Sequence, residues 1–231
     1  MNNDLLEKIV NNSIERQKQH NDQFVVFGNL YVFIKDPLPE HIDLVNIFSK
    51  IQQRIPPHLM IEVEAIYVGE FEELEGREVQ SIYKDGAIYV TNYQSNDGDM
   101  LEDIVHEIAH SIEEPFGQII YGDGSVESEF LGKRRMLKNV LNSHGVPTDG
   151  FNFEETDYSV GFDGFLYREV GYPVLIQLTS GLFNNPYGAT SLREYFAAGF
   201  EEFFIGDREV LRRISPLLFD KIQEVAINGE L

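Results

Sequence analysis

DMLEDIVHEIAHSI, residues 99–112, carries two of the chain's six histidines, His106 and His110, with Glu107 beside the first. Leu101, Ile104, Val105, Ile108 and Ile112 recur at helical spacing, which predicts an amphipathic helix over about 100–115. Asp99, three residues before Glu102, is a candidate N-cap in a capping-box arrangement. At about 100° per residue the two histidines fall roughly opposite the apolar stripe, so they face away from the core that the helix covers. Residues four apart on a helix are stacked neighbours, and two imidazoles so placed can reach one ion at about 2.0–2.1 Å without distorting the backbone. Glu107 sits one position round, where its carboxylate can reach a water on that ion without binding the ion itself. The bland alternative is a turn of helix with two surface histidines and a glutamate.

A catalytic zinc takes a third protein ligand and keeps a further position for water. The extended pattern HExxHxxGxxH is excluded, because positions 113 and 116 are Glu113 and Phe116. Two later glutamates remain open. Glu129, nineteen residues after His110, has Glu127 as a neighbour in SVESEFLGKRR, but acidic residues there equally suit the first turn of a helix. Glu194 lies in YGATSLREYFAAGFEEFF, residues 187–204. Leu192, Tyr195, Phe196, Gly199, Phe200 and Phe203 form one apolar side there, leaving Glu194, Ala197, Ala198 and Glu201 on the other. Ser191 to Glu194 also reads as a capping box, in which Glu194 would only serve its own helix end.

Outward from the histidine helix, the chain changes character. Residues 2–19 place Leu5, Leu6, Ile9, Val10 and Ile14 at helical spacing. QFVVFGNLYVFIKD, 23–36, predicts a hairpin about Gly28-Asn29; 40–54 predicts a helix stopped by Pro56-Pro57; 59–68 reads as a strand; and 79–92 reads as a hairpin turning at Asp85-Gly86. Further helices are expected at 125–144, 191–205 and 208–227, with a Gly/Asn/Asp/Tyr-rich connection over 145–190. Sheet first and helices afterwards is an α+β pattern.

Bulk properties narrow the function. Of 231 residues, 42% are apolar, enough for a sizeable core in one domain. A net charge of −21 argues against a phosphate-tracking nucleic-acid binder. The one dense basic run, Lys133-Arg134-Arg135 with Lys138, reads as a solvated helix face in that acidic field. The sequence has no cysteine, which excludes disulfides and thiolate zinc sites and fits a reducing compartment. The first residues lack the apolar core of a secretory signal, and no stretch approaches the length of a membrane span, so a cytoplasmic location without membrane contact is expected.

HEIAH together with Tyr187-Gly188, Thr190 and Glu194-Tyr195-Phe196-Ala197 resembles the catalytic domain of anthrax lethal factor and the related Pro-Pro endopeptidases. In that family a tyrosine seven residues before a glutamate, followed by aromatic-Phe-Ala, marks the oxyanion-stabilising tyrosine and the third zinc ligand. Tyr187 stands seven before Glu194. The resemblance spans about 60–231, but its specific content is two short motifs. It implies a zincin-like fold of gluzincin type, a small mixed sheet packed on the HExxH helix and then a mainly helical half. One domain over 1–231 would result, with 1–95 mainly sheet-forming, 96–231 mainly helical and an insertion at about 117–180.

It implies Zn²⁺ held by His106, His110 and Glu194, Glu107 as general base, Tyr187 as oxyanion donor, and a peptide or protein substrate. Glu194 follows His110 by 84 residues, several tens more than in the toxins. Ala198 occupies the place of a family glutamate, so a carboxylate behind a ligand histidine has to come from Glu201 or Asp103. The strand Ala87–Thr91 is the expected edge for an extended peptide. An intracellular enzyme, from a phage or other mobile element, is the setting this suggests. The competing reading is a non-catalytic acidic protein that mimics nucleic acid on a basic partner, its metal site structural or vestigial.

Overall fold

The computed structural model describes residues 23–77, 79–178 and 180–227, and the helix expected at 2–19 lies outside them. The protein is α+β, with a five-stranded mixed sheet and a mainly helical remainder. It divides into two compact units. One holds the described residues up to Gln53 with Ile61–Ile104; the other holds Arg54–Met60 with the described residues from Val105 onward.

In the first unit, β1 (Gln23–Val26) and β2 (Leu30–Ile34) form the expected antiparallel hairpin. Its turn takes positive φ at Phe27 (50°) and Gly28 (83°), and only at the second does glycine supply it without steric cost. Strands β3 (Ala65–Gly69), β4 (Ser81–Lys84) and β5 (Ala87–Thr91) complete a sheet of order β1-β2-β3-β5-β4. The central pairs β2–β3 and β3–β5 are parallel, and the β4–β5 hairpin turns at Asp85-Gly86 as its sequence predicts. One face buries Val26, Leu30, Val32, Ile66, Val68, Ile88 and Val90. On the other, Tyr31, Phe33, Tyr67 and Tyr89 stack with centroids 5.1–5.9 Å apart, and the Phe33–Tyr67 and Tyr67–Tyr89 pairs are the cross-strand contacts that favour this register. Helix α1 (Leu44–Arg54) buries Leu44, Ile47, Phe48 and Ile51, and Phe48 meets Phe24 edge-on. A short helix α2 (Glu72–Arg77) precedes β4.

Two expectations are corrected here. Residues 59–68 are not one strand: a 3-10 turn at Pro57–Met60, begun by the two prolines, buries Leu59 and Met60, and β3 starts only at Ala65. Nor is β5 an edge, since it pairs with β3 on one side and β4 on the other. Its ladder groups are therefore taken, and strand addition to Ala87–Thr91 is ruled out; among the described residues the edges are β1 and β4.

The histidine helix, α3 (Asp97–Tyr121), begins in the first unit and continues into the second. Its N-terminus is held by Asn96 rather than Asp99: Asn96 Oδ1 accepts from the backbone N–H of Gly98 (2.7 Å) and of Asp99 (3.1 Å). It also runs past Pro115, beyond the 100–115 that the periodicity predicts, because Phe116 and Ile120 extend the buried stripe of Ile104, Ile108 and Ile112 by two turns. That burial offsets the roughly 3 kcal/mol a helical proline costs.

In the second unit follow α4 (Ser125–Ser143), α5 (Val160–Gly164), a π-helical turn (Phe165–Gly171), α6 (Tyr172–Leu178), a 3-10 turn (Tyr187–Ala189), α7 (Leu192–Phe204), α8 (Arg208–Ile214) and α9 (Pro216–Ile227). The helix expected over 208–227 is two, broken at Ser215, with Pro216 opening the second where its missing N–H costs nothing. Gly199 of α7 lies against α9: a Cβ there would stand 2.3 Å from Leu218 Cδ2. No helix among the described residues is long and apolar enough to cross a membrane.

The basic run is also corrected. Lys133 and Arg134 are buried, at 6% and 1% exposure. Lys133 Nζ donates to Leu182 O (2.6 Å), Ile214 O (2.6 Å) and Ser215 Oγ (2.8 Å). Arg134 donates to Ala189 O (2.8 Å), Thr190 O (3.2 Å) and Asn152 O (2.9 Å), and its guanidinium lies 3.8 Å from the Phe162 ring centre. These cations are internal fasteners of the loops before α7 and between α8 and α9; Arg135, exposed and paired with Glu154, conforms to the solvated reading, and Lys138 is half-buried with its Nζ 5.7 Å from the Phe153 ring centre.

Candidate metal centre

The i, i+4 spacing of α3 brings the two histidine rings together, with His106 Nε2 and His110 Nε2 3.1 Å apart. Two ring nitrogens at that separation cannot both carry protons on the line between them. The third donor comes from the first turn of α7. Ser191 caps that helix by accepting from Glu194 N–H (3.2 Å), and the Glu194 carboxylate turns toward the histidines. Its Oε2 lies 2.9 Å from His106 Nε2 and 3.7 Å from His110 Nε2. Only the Ser191 half of the predicted capping box is used for capping.

His106, His110 and Glu194 thus offer three donor atoms within 4.8 Å of one another, a group that could hold a metal ion. Donors around a tetrahedral zinc lie about 3.3 Å apart, given metal–ligand distances of about 2.0–2.1 Å. The separations of 2.9, 3.1 and 3.7 Å bracket that value. Two imidazoles with one carboxylate is a donor set that suits zinc better than calcium or magnesium, which take mainly oxygen.

Behind the donors stand two more carboxylates. His106 Nδ1 meets Glu201, two turns along α7 from Glu194, and His110 Nδ1 donates to Glu113 Oε2 at 2.9 Å. Of the two residues expected to place a carboxylate behind a histidine, Glu201 meets His106, while Asp103 accepts from the Gln94 amide at 2.7 Å. Glu113 was not singled out by sequence reasoning, although its position three residues after His110 places it on the same helix face.

This is a place where positive charge is strongly favoured. Burial opposes a charged His106, yet its hydrogen bonds to Glu194 and Glu201 outweigh it and hold the ring well above its ordinary value. His110 behaves alike: burial works against charge, Glu113 and Glu194 overcome it, and its value rises to about 9. Burial would raise Glu194, but hydrogen bonds from the two histidines bring it down to about 2.

Tyr187 sits in the 3-10 turn before α7, its ring centre 6.3 Å from that of His106. Burial and the Glu194 charge push its phenol far above the ordinary value, so it remains a hydrogen-bond donor at neutral pH. The turn is fixed from several directions. Asn185 Oδ1 accepts from Gly188 N–H, Tyr187 O accepts from Thr190 Oγ1, Arg134 holds the Ala189 and Thr190 carbonyls, and Leu192 N–H donates to Thr156 O. Gly188 permits the turn to lie on α7, because a Cβ there would be only 3.2 Å from Ala198 Cβ. Glu107 is buried, at 5% exposure, on the helix between the two histidines.

Glu129, the competing third ligand, is committed elsewhere. Its oxygens accept from Tyr195 OH (2.8 Å) and from the backbone N–H of Leu217 (3.0 Å) and Leu218 (3.1 Å), capping α9. Its neighbour Glu127 lies exposed in the first turn of α4.

No protein-family profile, curated protein or solved structure matches the chain.

Proposed function

We propose that this protein is a zinc-dependent endopeptidase with His106, His110 and Glu194 as metal ligands and Glu107 as general base. The observation that carries the reading is the convergence of two ring nitrogens and one carboxylate oxygen on a single point, from two helices, with a carboxylate behind each ring. Three protein ligands leave a coordination position open, as catalytic rather than structural zinc requires. When bound, zinc would supply Lewis acidity toward a carbonyl and toward water.

The remaining steps belong to the chain's own side chains. Glu107 takes a proton from the attacking water and returns it to the leaving amine nitrogen. Tyr187, held neutral, donates a hydrogen bond to the oxygen on which charge develops. Glu201 and Glu113 hold the ligand rings in the tautomer that points Nε2 at the shared position. That the scissile bond is a peptide bond, and that Tyr187 has this role, rests on the resemblance of HEIAH and Tyr187 to Ala197 to the lethal-factor-like peptidases.

Zinc content of the purified protein and cleavage of a broad peptide library, for wild type and Glu107→Gln, test the reading. The expectation is about one zinc in both, with cleavage lowered about 10²- to 10⁴-fold in the variant. Wild type that holds zinc but cleaves nothing in a Glu107-dependent way would leave the acidic binding protein with a structural metal as the better account.

A further inference from the structure

We propose that Glu113 is a positioning residue of this centre, fixing the His110 ring and tying it to the helix that supplies Glu194. The inference rests on the zinc reading above and deepens it. Each of Glu113's oxygens is assigned. Oε2 accepts from His110 Nδ1 at 2.9 Å and from Arg193 Nε at 2.7 Å, and Oε1 accepts from Tyr121 OH at 2.6 Å. The side chain is only 9% exposed, so these bonds are made largely away from water.

Three consequences follow for the ion. Donation from Nδ1 to Glu113 puts the ring proton on the far nitrogen and leaves the Nε2 lone pair facing His106 and Glu194. Tyr121, two turns further along the same helix, fixes the carboxylate, so its plane and therefore the ring's rotation are set from α3 itself. Arg193 immediately precedes Glu194, so the Glu113–Arg193 pair links one ligand's ring to the backbone that presents another. Glu201 links the same two helices at the other ring, since it lies on α7 with Glu194 and meets His106 of α3; what distinguishes Glu113 is that it lies on α3 and reaches α7 through Arg193. The side chain of Arg193 is 63% exposed, which makes the ion pair alone a weak stabiliser. Its effect is expected in the geometry of the ligands.

Zinc affinity, measured by competition with a chromophoric chelator, and the visible spectrum of the cobalt-substituted protein test this on wild type, Glu113→Gln, Glu113→Ala and Arg193→Ala. Loss of a carboxylate behind a ligand histidine weakens metal binding about 10- to 100-fold, and that range is expected for Glu113→Ala. Glu113→Gln, which keeps an acceptor for Nδ1–H, should fall between it and wild type, and should fold if the alanine variant does not. Arg193→Ala should show a smaller loss, and the cobalt bands should move in both Glu113 variants. Unchanged affinity and unchanged bands, with only the metal-free protein destabilised, would reduce Glu113 to an ordinary buried ion pair. Absence of zinc from wild type would overturn the metal reading itself, an outcome distinct from a variant that binds as wild type does.

Discussion

Glu129 and Glu194 occupy similar places in the chain, each near the start of a helix that follows the histidines, and each at a separation where a third ligand could fall. Their surroundings give them different work. Glu129 meets a phenol and two backbone N–H groups at the start of α9, and all three need an acceptor. Glu194 belongs to a helix whose own first turn is served by Ser191, so its carboxylate is left over for the histidines. Spacing from HExxH does not make a ligand. A glutamate becomes available to a metal when other residues satisfy the backbone around it.

The two alanine variants should therefore separate cleanly, and this is the largest contrast expected. Glu194→Ala should purify folded, with zinc at background after desalting. Glu129→Ala should keep its zinc and lose about 2–4 kcal/mol of stability in urea unfolding, from a lost helix cap and a buried Tyr195 hydroxyl left without its acceptor. Zinc lost from the Glu129 variant and kept by the Glu194 variant would invert the assignment.

The metal-stripped protein offers a second contrast, in pH. The Glu194 value of about 2 lies below its ordinary 4.5, so its contribution to stability is complete above about 4.5 and disappears as pH falls toward 2. The His110 value of about 9 lies above its ordinary 6.5, so its contribution is complete below 6.5 and is lost as pH rises through 9. Urea unfolding of the stripped protein across this range should show both limbs. Glu194→Ala should shrink the acid limb, to which Glu113, Asp97 and Asp123 also contribute, and flatten the alkaline one, whereas Glu129→Ala should preserve both. Since a bound ion requires neutral rings, zinc binding at neutral pH should also release protons, measurable by titration calorimetry in buffers of different ionisation heat.

How much of this was legible in the sequence follows from how local each signal is. The histidine pair, its helix and both hairpins are encoded within a dozen residues by periodicity and turn chemistry, and they appear where expected. Glu194 depends on an 84-residue excursion returning to α3, which spacing alone could not decide between it and Glu129. Lys133 and Arg134 were misread because most of their partners are backbone carbonyls, of Leu182, Ile214, Ala189, Thr190 and Asn152. Every residue has a carbonyl, so no pattern of side chains marks which ones a buried cation will hold. The false edge at β5 has a related cause: strand order is set by pairing between distant segments, and the sequence of β5 itself is silent on it.

Ser191 gives the smallest and sharpest form of the comparison. The S-x-x-E pattern left open whether Glu194 was a cap or a ligand, and the division of labour now predicts an asymmetric result. Ser191→Ala should cost about 1 kcal/mol, the usual worth of an N-cap, while zinc content stays at the wild-type level. The N–H of Glu194 would turn to water or to a neighbouring acceptor without drawing on its carboxylate, which the two histidines hold. Zinc content falling as far as in Glu194→Ala would show the opposite, that the carboxylate is recruited to the helix end once the serine is gone. The distinction drawn between Glu129 and Glu194 would then depend on one hydroxyl group.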